Sequence, residues 1–265
     1  MTSWLLGYAV LGAVAGFFAG LLGVGGGAIM VPVLALMFAA QGFPPEHLMH
    51  LALGTSMAAI VFTSIASLRA HHRHGAVQWP IVRRIAPGIL LGTFLGAQLA
   101  SVIPTRPLAI FFTVFMSYVA FQMLANIKPK PARQLPGTVG MFLVGNGIGA
   151  VSALVAIGGG SLSVPFMTWC NVKMHQAIGT SAAIGFPIAV AGSIGYLAGG
   201  LGATGLPQGS FGYIYLPALL ACVAASMLTA PSGAKAAHRL PVATLKKIFA
   251  GVILLLLAKM AHGLF

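Results

Sequence analysis

Gly25, Gly26 and Gly27 form one glycine triplet in this 265-residue chain, and Gly158, Gly159 and Gly160 form a second. Three successive glycines break a helix and leave backbone N–H groups without helical partners. In a bilayer such groups survive only where they line a polar cavity or pack against protein. An anion is a natural partner, because the N–H groups at the start of the next helix and its dipole attract negative charge without a buried basic side chain. Ser161 follows the second triplet directly. Farther on, Thr55 and Ser56 in the first half and Thr180 and Ser181 in the second supply hydroxyls able to donate to substrate oxygens. His50 and His175 stand one helical turn before the matching glycines, Gly54 and Gly179, as anion donors, proton acceptors for coupled transport, or interfacial rings. Each motif also has a plainer reading. Glycine lets helices approach closely, and Ser or Thr in a membrane helix often bonds back to its own preceding turn.

Other chemistries fit less well. Gly23-Val24-Gly25-Gly26-Gly27-Ala28 satisfies the G-x-G-x-x-A dinucleotide pattern, but it follows an apolar helix rather than a strand and lacks an acid about 20 residues later. There is no Walker lysine, no catalytic carboxylate pair and no nucleophile with an obvious base, so an enzyme is not expected, and no cofactor with it. Cys170 and Cys222 lack metal-ligand spacing and read as small core residues, Cys170 with a possible substrate contact through its thiol.

The elements that must position these residues are membrane helices. The chain is 58% hydrophobic and 6% charged, with a mean hydropathy of +0.98, too apolar for a soluble fold. Apolar segments lie at about 4–22, 28–41, 50–68, 85–103 and 107–126, and again at about 138–156, 161–171, 176–197, 212–234 and 242–263. The first is expected to be a retained helix rather than a cleaved leader. The second of each set is too short to span a hydrocarbon core of about 30 Å and reads as a half-helix or re-entrant element. An all-α polytopic fold follows. The net charge of +13 comes from 14 Lys and Arg against the single acid Glu46. These bases lie in short loops, where they set topology and meet anionic lipid headgroups, so no nucleic-acid partner is expected. With no acid to place inside the membrane, cation transport is disfavoured.

The sequence also repeats itself. Gly25-Gly26-Gly27-Ala28-Ile29-Met30-Val31-Pro32 returns as Gly158-Gly159-Gly160-Ser161-Leu162-Ser163-Val164-Pro165, and His50-Leu51-Ala52-Leu53-Gly54-Thr55-Ser56 returns as His175-Gln176-Ala177-Ile178-Gly179-Thr180-Ser181. This divides the chain into a first transmembrane repeat at 1–127, a basic, proline-rich linker at 128–136 and a second repeat at 137–265. In the first repeat the loop after the third segment carries Arg69, Arg73, Arg83 and Arg84; its counterpart at about 198–211 carries no Lys or Arg. The loop after the fourth segment reverses this, with Arg106 alone against Lys235, Arg239, Lys246 and Lys247. By the positive-inside rule the repeats are inverted, and both termini face outward from the cytoplasmic (inner) membrane.

Two glycine-rich breaks ending in Val-Pro, each followed by Ala-x-Gly-Thr-Ser, with a basic loop after the first copy, resemble the sulfite exporter TauE/SafE family, also called the toluene sulfonate uptake permease family. The resemblance covers nearly the whole chain. It implies an integral membrane transporter for sulfur-containing anions such as sulfite, thiosulfate or organosulfonates. It carries over to Gly25–Gly27 with Pro32, Gly158–Gly160 with Pro165, and the stretches 52–56 and 177–181. The first break reads Gly-Val-Gly-Gly-Gly and the second Ala-Ile-Gly-Gly-Gly, a departure that bears on whether the halves act equally. Export is preferred over uptake. An anion channel, a proton-coupled permease using His50 or His175, and a membrane sensor without transport are the alternatives.

Overall fold

A computed structural model describes residues 2–22, 26–125, 132–237 and 242–264. The described chain is an all-α membrane protein whose ten α-helices follow the apolar segments in order: α1 Thr2–Leu22, α2 Gly27–Ala40, α3 Leu48–Arg73, α4 Trp79–Val102, α5 Thr105–Leu124, α6 Thr138–Val155, α7 Gly160–Trp169, α8 Met174–Gly200, α9 Leu216–Ala237 and α10 Val242–Leu264. Among the described residues, seven helical stretches are long and apolar enough to cross a bilayer. At 14 and 10 residues, α2 and α7 reach only about 21 and 15 Å, short of a hydrocarbon core.

Sequence reading had no strands, yet β1 (Ser210–Phe211) and β2 (Ile214–Tyr215) pair in register Ser210↔Tyr215 and Phe211↔Ile214. Two-residue strands are too short to carry an alternating pattern. Gly212 allows the turn: its φ is 54°, and a Cβ there would collide with the Leu197 carbonyl of α8.

The helices of the two sets interlock. α1 packs along α9 and α4 along α6, the two most extensive helix pairs, and α3 with α8 is the next. If α1–α5 correspond to α6–α10, then α1 with α9 and α6 with α4 are the same pairing exchanged between halves. Both seams run on small residues. Cβ atoms at Gly88 and Gly92 of α4 would strike the backbone of Phe142 and Asn146 on α6, and those at Gly145 and Gly149 would strike the backbone of Ile85 and Ile89 on α4. At the other seam Gly12 and Gly16 of α1 lie against the backbone of Cys222 and Ser226 of α9. Lipid tails are as apolar as leucine, so burial alone does not hold membrane helices together; close backbone approach over small residues does. Large apolar side chains accordingly point outward, Leu6, Val102, Leu228 and Leu255 among the most exposed.

Candidate functional site

The two helix breaks meet near the centre of the molecule. Gly26, with φ 73°, caps the start of α2, and Gly159, with φ 80°, caps the start of α7. Both adopt the left-handed conformation that only glycine takes without strain. The Gly26 carbonyl accepts the N–H groups of Ile29 and Met30, and the Gly159 carbonyl those of Leu162 and Ser163. The N–H groups of the first helical residues have no partner within their own helix. Pro32 and Pro165 lie inside the two short helices; lacking an N–H, each also leaves one carbonyl of its helix's first turn, Ala28 or Ser161, without the usual bond.

The breaks touch across the halves: a Cβ on Gly27 would collide with the Ala156 carbonyl at the end of α6. Ala156 itself holds φ 47°, and the N–H of Ile157 returns to the Ser152 carbonyl at 3.3 Å, closing α6 as left-handed helix ends do. Counting back from the triplets, Ala156 occupies the position of Gly23. Ala156 thus holds a left-handed conformation that costs a residue with a side chain about 1–2 kcal/mol. Gly23 to Gly25, including the predicted site residue Gly25, lie outside the described residues.

Beside the junction is a hollow of about 10 Å³, bounded by Ala19 of α1, Ile60, Thr63, Ser64 and Ser67 of α3, Gly158, and Ala182 and Gly185 of α8. It has the room of roughly one water molecule; sulfite is several times larger. The Thr63 and Ser64 hydroxyls donate to the carbonyls of Ile60 and Val61 in their own helix. Their remaining polarity toward the hollow is that of acceptors.

The Gly-Thr-Ser motifs divide their labour. Thr55 Oγ1 accepts the N–H of Tyr215 at 2.9 Å, and Thr180 Oγ1 accepts the N–H of Gln78 at 2.9 Å. Each threonine thus tethers the loop that enters α9 or α4 from the opposite set. The preceding glycines admit those loops, since a Cβ on Gly54 would collide with the Tyr213 carbonyl and one on Gly179 would crowd Ala76. Each Thr hydroxyl keeps its own proton to donate. Ser56 and Ser181 lie one turn before the junction residues Ile60 and Gly185, on the same helix faces. Ser163 Oγ hydrogen-bonds both the Gly159 carbonyl (2.7 Å) and Ser181 Oγ (2.8 Å). In the first half Met30 replaces Ser163, and Ser56 Oγ, fully buried, has no hydrogen-bond partner among the described residues. Gly160 and Ser161 are half-buried, while Gly27 is buried.

The two motif histidines part company. His50 is 3% exposed; its Nε2 lies 3.1 Å from the Ala100 carbonyl and 3.0 Å from the Ile103 carbonyl, where it meets the carbonyl-rich end of α4. Its ring stacks on Tyr213 at 4.9 Å. His175 is exposed. The motifs are alike, but their covers differ: the long α8–α9 hairpin connection closes over His50, while the α3–α4 connection opposite is short. His50 precedes Ile60 by ten residues, about 15 Å along α3, so neither histidine stands at the junction.

Sequence comparison relates the chain to known proteins. The sequence profile of the family described as sulfite exporter TauE/SafE matches residues 8–260. A probable membrane transporter protein of Haemophilus influenzae is 39% identical over 255 residues, covering 94% of this chain and 95% of that protein. The probable membrane transporter protein YdhB of Bacillus subtilis is 28% identical, covering 87% and 89%, and a probable membrane transporter protein of Methanocaldococcus jannaschii is 24% identical, covering 80% and 78%. No solved structure matches. With its profile match running through both glycine breaks and all ten helices, the chain belongs to the sulfite exporter TauE/SafE family of membrane transporters.

Proposed function

We propose that the protein is a secondary carrier that moves a small sulfur-containing anion, such as sulfite, thiosulfate or an organosulfonate, outward through the junction of two inverted halves in the cytoplasmic membrane. The observation that carries this reading is the meeting of the two breaks, Gly27 against Ala156 and Ile60, beside a hollow that Ile60 and Gly158 both line. Backbone N–H groups of Gly25–Gly27 and Gly158–Gly160, with the hydroxyls of Thr55, Ser56, Ser161, Thr180 and Ser181, would surround the anion. The exchanged pairing of α1 with α9 and α4 with α6 supports a division at 128–136 into two repeats. The opposite placement of their basic loops supports inversion, with both termini outside.

The hollow is too small for the anion, so the structure is read as an occluded resting form in which the loops held by Thr55 and Thr180 close both approaches. Release of one tether would open one side, which is the behaviour of a carrier rather than a continuous pore. With the cytoplasm negative, outward movement of an anion is favoured by about 2.3 kcal/mol per charge per 100 mV and needs no coupled ion. His50, tied to α4 about 15 Å from the junction, and exposed His175 suit proton coupling less well.

Protein reconstituted in liposomes and offered sulfite, thiosulfate and sulfoacetate under imposed voltage and pH gradients tests this directly. Efflux of at least one sulfur anion should follow the voltage and ignore the pH gradient. Absence of flux for the whole panel would sink the reading, and flux that follows the proton gradient would replace export with uptake.

A further inference from the structure

The two ends of the α3–α8 pair are built alike but finished differently. Counting from the glycine triplets, Tyr8 of α1 corresponds to Met141 of α6, and Phe38 of α2 to Asn171 after α7; counting from the two tethered loops, Tyr215 corresponds to Gln78. At the first end Tyr8, Phe38 and Tyr215 close on one another edge to face, with ring centroids 5.6–6.3 Å apart, and Phe43 stacks on Phe38 at 5.1 Å. The space between α2, α3 and α9 is filled by rings. At the second end the corresponding Met141, Asn171 and Gln78 leave a cavity of about 540 Å³.

That cavity offers donors and a cation. Arg84 of α4, Gln78, Gln176 of α8, Asn171 and Gln134 line it, with Cys170 in its wall. Arg133 precedes the lining residue Gln134, with its guanidinium 4.9 Å from the Trp169 ring centroid, and the N–H groups of Ala132 and Arg133 both bond the Trp169 carbonyl. Arg84 has no acidic side chain within reach. The chain's single acid, Glu46, precedes α3, whereas Arg84 follows its far end, across a 26-residue helix that spans about 39 Å. Arg84, Gln134 and Asn171 are exposed at this open cavity and Gln78 and Gln176 half-buried, so a planar charged fork and several amide donors face one space, the set of groups that binds an oxyanion.

We propose that this cavity is a second binding site, specific for a small oxyanion: a free sulfate or sulfonate, or the phosphate of a lipid headgroup. It lies at the opposite end of α7 from Gly159, about 15 Å from the junction, and stands independently of the transport reading. Its walls come from α4, the interhalf linker and α8. An occupant therefore ties α4 to α8 and to the segment before α6, beside the Gln78–Thr180 tether.

The test is thermal unfolding in phosphatidylcholine nanodiscs, titrated with sulfate against chloride at equal ionic strength, and repeated in discs containing phosphatidylglycerol. Sulfate should raise the midpoint saturably in the natural protein. Arg84→Gln, and Asn171→Phe, which imitates the sealed end, should raise the half-saturating concentration about tenfold or more, as loss of a charged hydrogen-bonding group does; Arg106→Gln should leave it unchanged. A rise produced by phosphatidylglycerol without sulfate, and cancelled by Arg84→Gln, identifies the occupant as a headgroup at the same site. No rise with either anion source, or one that persists in both pocket variants, overturns the proposal. So does a rise removed by Ser56→Ala instead, which would place the anion at the glycine junction.

Discussion

Single positions carry unequal weight in the two halves. Gly26 and Gly159 hold left-handed backbone, where any side chain costs about 1–2 kcal/mol. Gly26→Leu and Gly159→Leu should therefore abolish sulfur-anion binding by filling the break, while leaving membrane insertion intact; normal affinity in binding titrations of both would remove the junction as the site. The threonines make a different prediction. Thr55→Val leaves the Tyr215 N–H without its acceptor, an expected loss of about 1–3 kcal/mol, and Thr180→Val does the same to Gln78. Thr55→Ser keeps the acceptor and should restore most of the stability, as measured by the unfolding midpoint. At this scale the sequence was legible in type but not in use. Gly-Thr-Ser announced hydroxyls, yet nothing local showed that their oxygens receive N–H groups from loops 160 and 102 residues away. The histidines illustrate the same limit. His50 and His175 open matching motifs, and only the dissimilar connections folded over them make one a buried helix clamp and leave the other exposed.

Helices were the most legible level, because bilayer thickness imposes a length on apolar runs that the chain can hardly disguise. The shortness of α2 and α7 was equally plain. Their partners were not: the glycines four apart that α1, α4 and α6 carry pack against helices distant in sequence, and no local pattern encodes which helix each one faces. The stripe on α6 supplies its own control. A Cβ at Gly149 would meet the Ile89 carbonyl at 2.6 Å and Thr93 Oγ1 at 2.7 Å, while one at Gly147 meets nothing within 4 Å. Gly149→Ala should lower the unfolding midpoint by forcing α4 and α6 apart. Gly147→Ala should leave it unchanged or raise stability by up to about 1 kcal/mol, the helix preference of alanine over glycine. Equal effects at the two positions would mean that α4 and α6 do not pack as described.

For the molecule as a whole, the proposed route through the junction requires the tethered loops to part from α3 and α8 in turn. In a background with Cys170 and Cys222 replaced by serine and alanine, the pair Gln78→Cys with Thr180→Cys should form a disulfide under mild oxidation. Flux of the sulfur anion in liposomes should then stop and return on reduction. Undiminished flux through fully cross-linked protein would show that this loop is not a gate. The paired motifs that suggest two gates were visible in the sequence. The difference between a ring-filled end and an open, arginine-lined end was not, since Phe38 and Asn171 acquire their contrast only when α2 and α7 are placed on corresponding sites.

The seam between α1 and α9 has a bearing on how the protein is made. α1 finds its main neighbour only after nearly two hundred further residues have been synthesised, so Gly12 and Gly16 must wait in lipid or against the insertion machinery with their groove unfilled. A chain interrupted before α9 would be left with an orphaned groove that invites mispairing or degradation. The same dependence has a constructive side: two gene fragments divided within residues 128–131, expressed together, should find each other in the membrane, each supplying the helix the other lacks.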